Sequence, residues 1–265
     1  MIREKETRTM PGAIALVGSG EYLDEMNTTD AYLIETLGGV SKARVALLPT
    51  ASGLEEGSAT YWNNLGLTHF HALGVQDVRD IRIIDRASAA DPAQVELLRN
   101  ANFFYFSGGN PQHVIETLRG SPAWEIIQAA YERGAVLAGC SAGAMALSGH
   151  TISIRTVMAG KKPKWVDSLG VVPHIAVFPH FDRMGNFLDQ KIFQKLLSSL
   201  PKDHIVLGID EDTALVRVGF ADGVASTSEW QVMGSQSVKV FEQGQTPRTL
   251  HIGEKIMLRD TMPGN

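Results

Sequence analysis

The segment Val136–Leu147, VLAGCSAGAMAL, sets a serine in surroundings that can make it reactive. Apolar residues Ala135–Ala138 lead into Gly139-Cys140-Ser141-Ala142-Gly143, and Ala144-Met145-Ala146-Leu147 leads out, which predicts a strand, a sharp turn and a helix. A G-x-S-x-G sequence at such a junction is a nucleophile elbow. Its small residues let the chain bend, the hydroxyl stands clear, and the helix N-terminus faces developing negative charge. A serine hydroxyl is a poor nucleophile at neutral pH, so Ser141 requires a base and a group to orient that base. Cys140, the only cysteine, precedes the apex and is expected to turn into the core. One cysteine permits no intrachain disulfide and no cysteine-cluster metal site.

The base is sought among eight histidines. His69 and His71 read as one face of a strand, and His113, His150, His204 and His251 fall in helical or edge contexts. The H-x-H pair lacks a third ligand at a recognisable spacing, so no metal is expected. His174 and His180 flank one apolar run, His174–Phe178. In a parallel sheet, ligands gather at the carboxyl ends of strands, which places His180 on the side of Ser141 and His174 at the far end. His180 is therefore the expected base. The orienting carboxylate is open among Asp182, Asp210, Glu211 and Asp212, because both groups emerge after buried strands. Gly108-Gly109, after the apolar run Ala101–Phe106, is a candidate oxyanion loop, since glycine lets backbone N–H groups approach a substrate oxygen. Pro111 fits the first position of the following helix.

The elements that must hold these residues alternate. Strands are expected at Ala13–Val17, Ala43–Leu48, Val78–Ile84, Ala101–Phe106, Ala135–Ala138, His174–Phe178 and Ile205–Ile209. Helices are expected at Asn27–Leu37, Ser58–Leu67, Ala93–Arg99, Gln112–Leu118, Ala123–Arg133 and Phe187–Leu200. After Gly149 the pattern loosens into a segment with Arg155, Lys161, Lys162 and Lys164, read as a long active-site loop reaching Gly170. Thr213–Leu258 reads as β-rich, with turns at Ala221-Asp-Gly, Gly234 and Gln243-Gly. Gly18-x-Gly20 follows the first strand, but Leu23 stands where a dinucleotide fingerprint needs its third glycine, and no cofactor is expected.

At 265 residues and 44% hydrophobic content the chain suits one large α/β domain, with residues 213–265 packed on it. The net charge of −5 comes without a basic cluster, which argues against nucleic acid and anionic membranes as partners. The apolar run after Gly12 is too short for a signal peptide or a membrane span. A cytoplasmic protein with a small peptide substrate is expected, and a homodimer is left open.

FYFSGGN (Phe103–Asn110), AGCSAGAM (Ala138–Met145), PHF (Pro179–Phe181) and GIDEDTALV (Gly208–Val216), in this order, resemble the serine peptidase family of dipeptidase E and cyanophycinase. The resemblance runs from IALVGSGE (Ile14–Glu21) into the β-rich segment. It implies a three-layer α/β fold, flavodoxin-like and similar to the class I glutamine amidotransferase domain, with a mostly parallel sheet, helices on both faces and a β-rich C-terminal extension. By resemblance Ser141 is the nucleophile, His180 the base and Glu211 the orienting carboxylate. The N–H groups of Gly109 and Ala142 form the oxyanion hole, and Asn110 and Gln112 line the substrate pocket. Cyanophycinases carry several arginines after the histidine, whereas the segment here offers only Arg183, which weakens cyanophycin as the substrate. Dipeptidase E cleaves after an N-terminal aspartate, and Arg183 with Lys161–Lys164 would recognise such a carboxylate. A glutaminase partnered with a synthase and a non-catalytic binding protein are the rival readings of the fold.

Overall fold

The computed structural model describes residues 10–153, 161–162, 164–186, 189–201, 203–220 and 227–259. The first strands are β1 (Ile14–Val17), β2 (Arg44–Leu48), β3 (Asp77–Asp80), β4 (Phe103–Phe106) and β5 (Val136–Cys140). Then come β6 (Ser148–Ile152), β7 (Trp165–Asp167), β8 (Val172–Phe178) and β9 (Ile205–Ile209). The last are β10 (Thr213–Phe220), β11 (Thr227–Gly234), β12 (Ser237–Glu242), β13 (Arg248–His251) and β14 (Lys255–Arg259). They form two sheets. The larger has the order β14-β11-β10-β1-β5-β4-β2-β3, and the smaller β13-β12-β9-β8-β6-β7.

The expected α/β architecture is present. Parallel pairing joins β1, β5, β4, β2 and β3, and separately β6, β8 and β9. The remaining pairings are antiparallel. The β-rich C-terminal segment is shared between the sheets: β10 pairs with β1, while β12 pairs with β9.

The helices are α1 (Asn27–Thr36), α2 (Ser58–Ala72), α3 (Pro92–Arg99), α4 (Pro111–Leu118), α5 (Pro122–Glu132), α6 (Ala142–Leu147) and α7 (Gln190–Ser199). Period-two alternation along the central strands sorts them into layers. Ala15, Val17, Leu47 and Tyr105 pack with Leu33 and Ile34 of α1 and Phe70 of α2. Their neighbours Ile14, Leu16, Ala46 and Phe104 pack on the opposite side with Leu98 of α3, Val114 of α4 and Ile127 of α5. That second cluster also takes in Ile175, Val177, Leu207 and Ile209 of the smaller sheet. The other face of the smaller sheet, through Ala176, Phe178 and Val206, is covered by Phe193 and Leu196 of α7. Each fully buried leucine, isoleucine or phenylalanine here contributes ~1.5–3 kcal/mol.

Caps explain the boundaries of the central helices. Asp91, Asn110 and Ser121 accept backbone N–H groups at the starts of α3, α4 and α5, each followed by proline at the first helical position. Several expectations need correction. β3 stops at Asp80, short of Ile84. His69 and His71 lie in α2, whose buried residues Asn63, Gly66, His69 and Phe70 keep helical spacing through to Ala72. Three alternating residues, His-Phe-His, were too short a pattern to outweigh that period. Asp189 caps α7, and the expected start at Phe187 lies outside the described residues, as do Arg155 and the Ala221-Asp-Gly turn. The segment read as one long loop holds β6 and β7, paired antiparallel.

Candidate active site

Backbone strain marks the elbow. Ser141 sits at φ 49° and ψ −108°, outside the regions a non-glycine residue prefers. Its N–H donates to Val17 O at 2.9 Å, and its carbonyl accepts from Met145 N at 3.0 Å, so β1 and α6 hold it from both sides. The flanking glycines are required by contact. A Cβ on Gly139 would lie 2.6 Å from the Gly143 carbonyl carbon, and one on Gly143 would lie 2.4 Å from Phe106 O.

Sequence reasoning placed Ser141 and His180 at the ends of one parallel sheet, but their strands belong to different sheets. The carboxyl-end rule works here sheet by sheet. β5 delivers Ser141, β8 delivers His180, and β9, parallel to β8, runs out into Asp210 and Glu211 before the chain crosses to β10 in the larger sheet. Gly18 and Gly20 make that crossing close: a Cβ on Gly18 would sit 2.1 Å from Asp210 O, and one on Gly20 would sit 2.1 Å from Asp212 Oδ1. The Gly18-x-Gly20 pair therefore serves the junction of the two sheets.

Ser141 Oγ lies 3.0 Å from His180 Nε2, and His180 Nδ1 lies 2.8 Å from Glu211 Oε1. His180 also takes a positive φ of 51°, at the turn after β8. Among the four candidate carboxylates, Glu211 makes the contact with His180. Asp182 Oδ1 accepts the Glu211 backbone N–H at 2.9 Å, and Asp210 Oδ2 accepts from the Ser237 hydroxyl at 2.6 Å. Burial, followed by the charges of Glu25, Glu211 and Asp182, raises the Asp212 carboxyl above its ordinary range. Arg183 donates through Nη2 to Glu211 Oε2 at 2.7 Å, so its guanidinium lies on the outer side of the carboxylate.

The Ser107–Asn110 loop is pinned around one free donor. Ser107 N–H donates to Leu48 O, Gly108 N–H to Glu21 Oε1 and Asn110 N–H to Ala51 O, whereas Gly109 N–H has no acceptor among the described residues. Gly109 needs glycine, with φ 139° and a would-be Cβ 2.4 Å from Ala51 O. Ala142 opens α6, where the first N–H groups have no intrahelical acceptor. Asn110 Oδ1 caps α4. Gln112 is held by Glu116 and Ser153 at 2.9 and 3.0 Å. Lys161, Lys162 and Lys164 are exposed. Cys140 is fully buried, and its thiol meets Glu21 Oε2 at 2.8 Å. Burial and the Glu21 charge push that thiol well above its ordinary pKa. Sequence reasoning assigned no role to Glu21, although it closes the IALVGSGE run; an isolated glutamate in a glycine loop carries no spacing signal. No group of histidine, cysteine, aspartate and glutamate among the described residues has the geometry to hold a metal ion.

A family model described as Peptidase family S51 matches residues 14–221, spanning β1 to β10 and including Glu21, Gly109, Ser141, His180 and Glu211. The chain belongs to peptidase family S51. Curated relatives include a cyanophycinase from Geminocystis herdmanii, 27% identical over 67% of this chain and 64% of that protein. This chain therefore spans just under two thirds of that relative's length. An uncharacterized peptidase from Listeria innocua is 27% identical over 60% of this chain and 72% of its own. Among solved structures, a peptidase from an acI-B1 actinobacterium superposes with a TM-score of 0.79 at 34% identity, covering 94% of this chain and 98% of that one. A putative peptidase E protein from Listeria monocytogenes shares the fold, with a TM-score of 0.54 at 18% identity over 92% of this chain and all of that one. No helix among the described residues is long and apolar enough to cross a membrane.

Proposed function

We propose that this S51 member is a serine-nucleophile peptidase that cleaves small peptides, acidic or aspartyl-containing ones among them, through an acyl-enzyme. The observation that carries the reading is the continuous contact from Ser141 Oγ through the His180 ring to Glu211, at 3.0 and 2.8 Å. His180 Nε2 takes the hydroxyl proton as Ser141 Oγ attacks the scissile carbonyl. The ring then returns that proton to the leaving amine, and water, activated by the same nitrogen, releases the acid. Glu211 fixes the ring so that Nε2 is the atom facing serine and stabilises the imidazolium that forms. Gly109 and Ala142 N–H groups receive the developing oxyanion. No cofactor enters these steps.

For the substrate pocket, Asn110 and Gln112 flank the proposed oxyanion donor. Lys161, Lys162 and Lys164 supply positive charge on the segment between β6 and β7, and β6 is parallel to β8 and so ends on the His180 side. Arg183 touches Glu211 through one nitrogen, which leaves other guanidinium donors for a substrate carboxylate. The single arginine in this segment favours short acidic peptides over cyanophycin.

The test is labelling with a fluorophosphonate followed by hydrolysis of dipeptide and β-aspartyl peptide libraries. Label is expected on Ser141 of the native protein only. Ser141→Ala and His180→Ala should each lower turnover by about four orders of magnitude, with no further loss in the double variant. Hydrolysis by Ser141→Ala at a near-native rate overturns the proposal, and a flat response across acidic peptides overturns the substrate class.

A further inference from the structure

Glu21 lies beneath the elbow and joins three segments. It is 6% exposed. Its Oε1 accepts the Gly108 N–H at 2.7 Å from the loop after β4, and its Oε2 accepts the Cys140 thiol at 2.8 Å from the residue preceding Ser141. Its own segment, the turn after β1, is held by strain and packing. Gly20 and Tyr22 both take positive φ, 82° and 68°, and the partly buried Tyr22 ring packs against Tyr105 at 5.0 Å and Phe70 at 6.3 Å between centroids. A non-glycine residue in that conformation is strained and persists only where the surroundings impose it. Here the strained turn sends the Tyr22 ring into the core and the Glu21 carboxylate to the elbow.

Gly108 lies between Glu21 and the serine. A Cβ placed on it would be 3.0 Å from Glu21 Oε1, 3.5 Å from Ser141 Cβ and 4.0 Å from Ser141 Oγ. Taking up the Gly108 N–H fixes the peptide just before the Gly109 N–H. Asn110 N–H, bound to Ala51 O at 2.8 Å, fixes the peptide just after it. We infer that Glu21 is a positioning residue, which holds the Gly108-Gly109 turn against the elbow so that Gly109 N–H stays aimed at the oxygen of the carbonyl whose carbon Ser141 attacks. It contacts neither substrate nor reacting atoms and acts through the loop. Cys140 supplies the second anchor, which gives the buried thiol a role beyond filling space. The inference rests on Ser141 being the nucleophile.

The rate of fluorophosphonate labelling at Ser141 tests it, because the phosphonyl oxygen occupies the position of the oxyanion. Glu21→Ala is expected to slow labelling by ten- to a hundredfold, since a donor displaced by about 1 Å costs about that much. Glu21→Gln keeps an oxygen for Gly108 N–H and should recover most of the loss. Across pH, the plateau rate of Glu21→Ala should fall while its inflection stays at the wild-type value, because the His180–Glu211 contact is untouched; damage spreading to the triad would move the inflection. Hydrogen exchange at Gly108–Asn110 should quicken in Glu21→Ala at temperatures where thermal unfolding shows the protein folded. Wild-type labelling with an equal rate in Glu21→Ala overturns this inference alone, as does a Glu21→Gln variant as slow as Glu21→Ala. Failure of the wild-type protein to label overturns the serine-nucleophile reading, and this inference with it.

Discussion

Two carboxylate–imidazole pairs in this protein have the same separation and different surroundings. His69 Nε2 meets Asp30 Oδ2 at 2.8 Å, and His180 Nδ1 meets Glu211 Oε1 at 2.8 Å. The first joins α2 to α1 in the core, with side chains 5% and 1% exposed, under the rings of Tyr22 and Phe70. The second lies at the junction of the two sheets, with side chains 38% and 16% exposed. Distance therefore does not separate a structural pair from a chemical one. The second imidazole nitrogen does: His180 presents it to a serine held in a strained turn, beside an unpaired backbone donor. Around Asp30, burial dominates and raises the carboxyl above its ordinary range despite the histidine, so the interior there disfavours charge.

Breaking the outer pair is expected to have the larger effect, and to act on rate. Glu211→Gln should lower turnover or labelling by roughly three orders of magnitude, because the ring loses the partner that sets its tautomer. Asp182→Asn retains an oxygen for the Glu211 N–H and should cost less than about tenfold, within the worth of one hydrogen bond. A reversed order, with Asp182→Asn the more damaging, would show that the geometric partner of His180 is not the chemical one. Steady-state rates of the two variants, normalised to active protein, settle the order.

Breaking the inner pair should act on stability instead. His69→Ala leaves Asp30 buried without its partner and is expected to cost about 3 kcal/mol, or a fall in Tm of roughly 6–10 °C in a chain of this size. The labelling rate per folded molecule should stay within about twofold of wild type, since a core substitution away from the reacting groups changes how much protein is folded rather than its chemistry. A large drop in that rate without a change in Tm would place the inner pair in the catalytic machinery and erase the contrast.

The contrast was only half visible in the chain. Ser141 was legible because the elbow needs small residues at fixed offsets, and His180 because apolar strands declare their ends. The carboxylate was not legible from position: Asp182, Asp210, Glu211 and Asp212 all leave strand ends, and only the turn between β9 and β10 decides which side chain swings toward the ring. The division into two sheets was hidden for a related reason. Apolar runs identify strands but not their neighbours, and β10 pairs with β1 across nearly two hundred residues of sequence. The inner pair escaped notice because His69 and His71 alternate like strand residues while α2 continues through them. Glu21 escaped because its partners are a backbone N–H and a thiol, neither of which leaves a pattern in sequence.

A third histidine environment sharpens the comparison from the side of pH. His150 on β6 stacks edge-on against His204 at 4.9 Å between centroids, His204 meets His174 at 5.5 Å, and the nearest opposite charge to His150 is the exposed Asp167 at 3.5 Å. Burial first, then the His204 charge, lowers the His150 pKa below its ordinary 6.5, against the smaller opposing pull of Asp167. The unfolded chain therefore takes up a proton near pH 6.5 that the folded chain takes up only at lower pH, so stability falls as pH drops through that window. The expected outcome is a Tm that declines between pH 7.5 and 5.5 (roughly the range in which histidine titrates), with a flatter slope in His150→Gln. The inner and outer pairs instead set a carboxylate directly against the imidazole. A pH slope unchanged in His150→Gln would show that the acid sensitivity does not arise at this cluster.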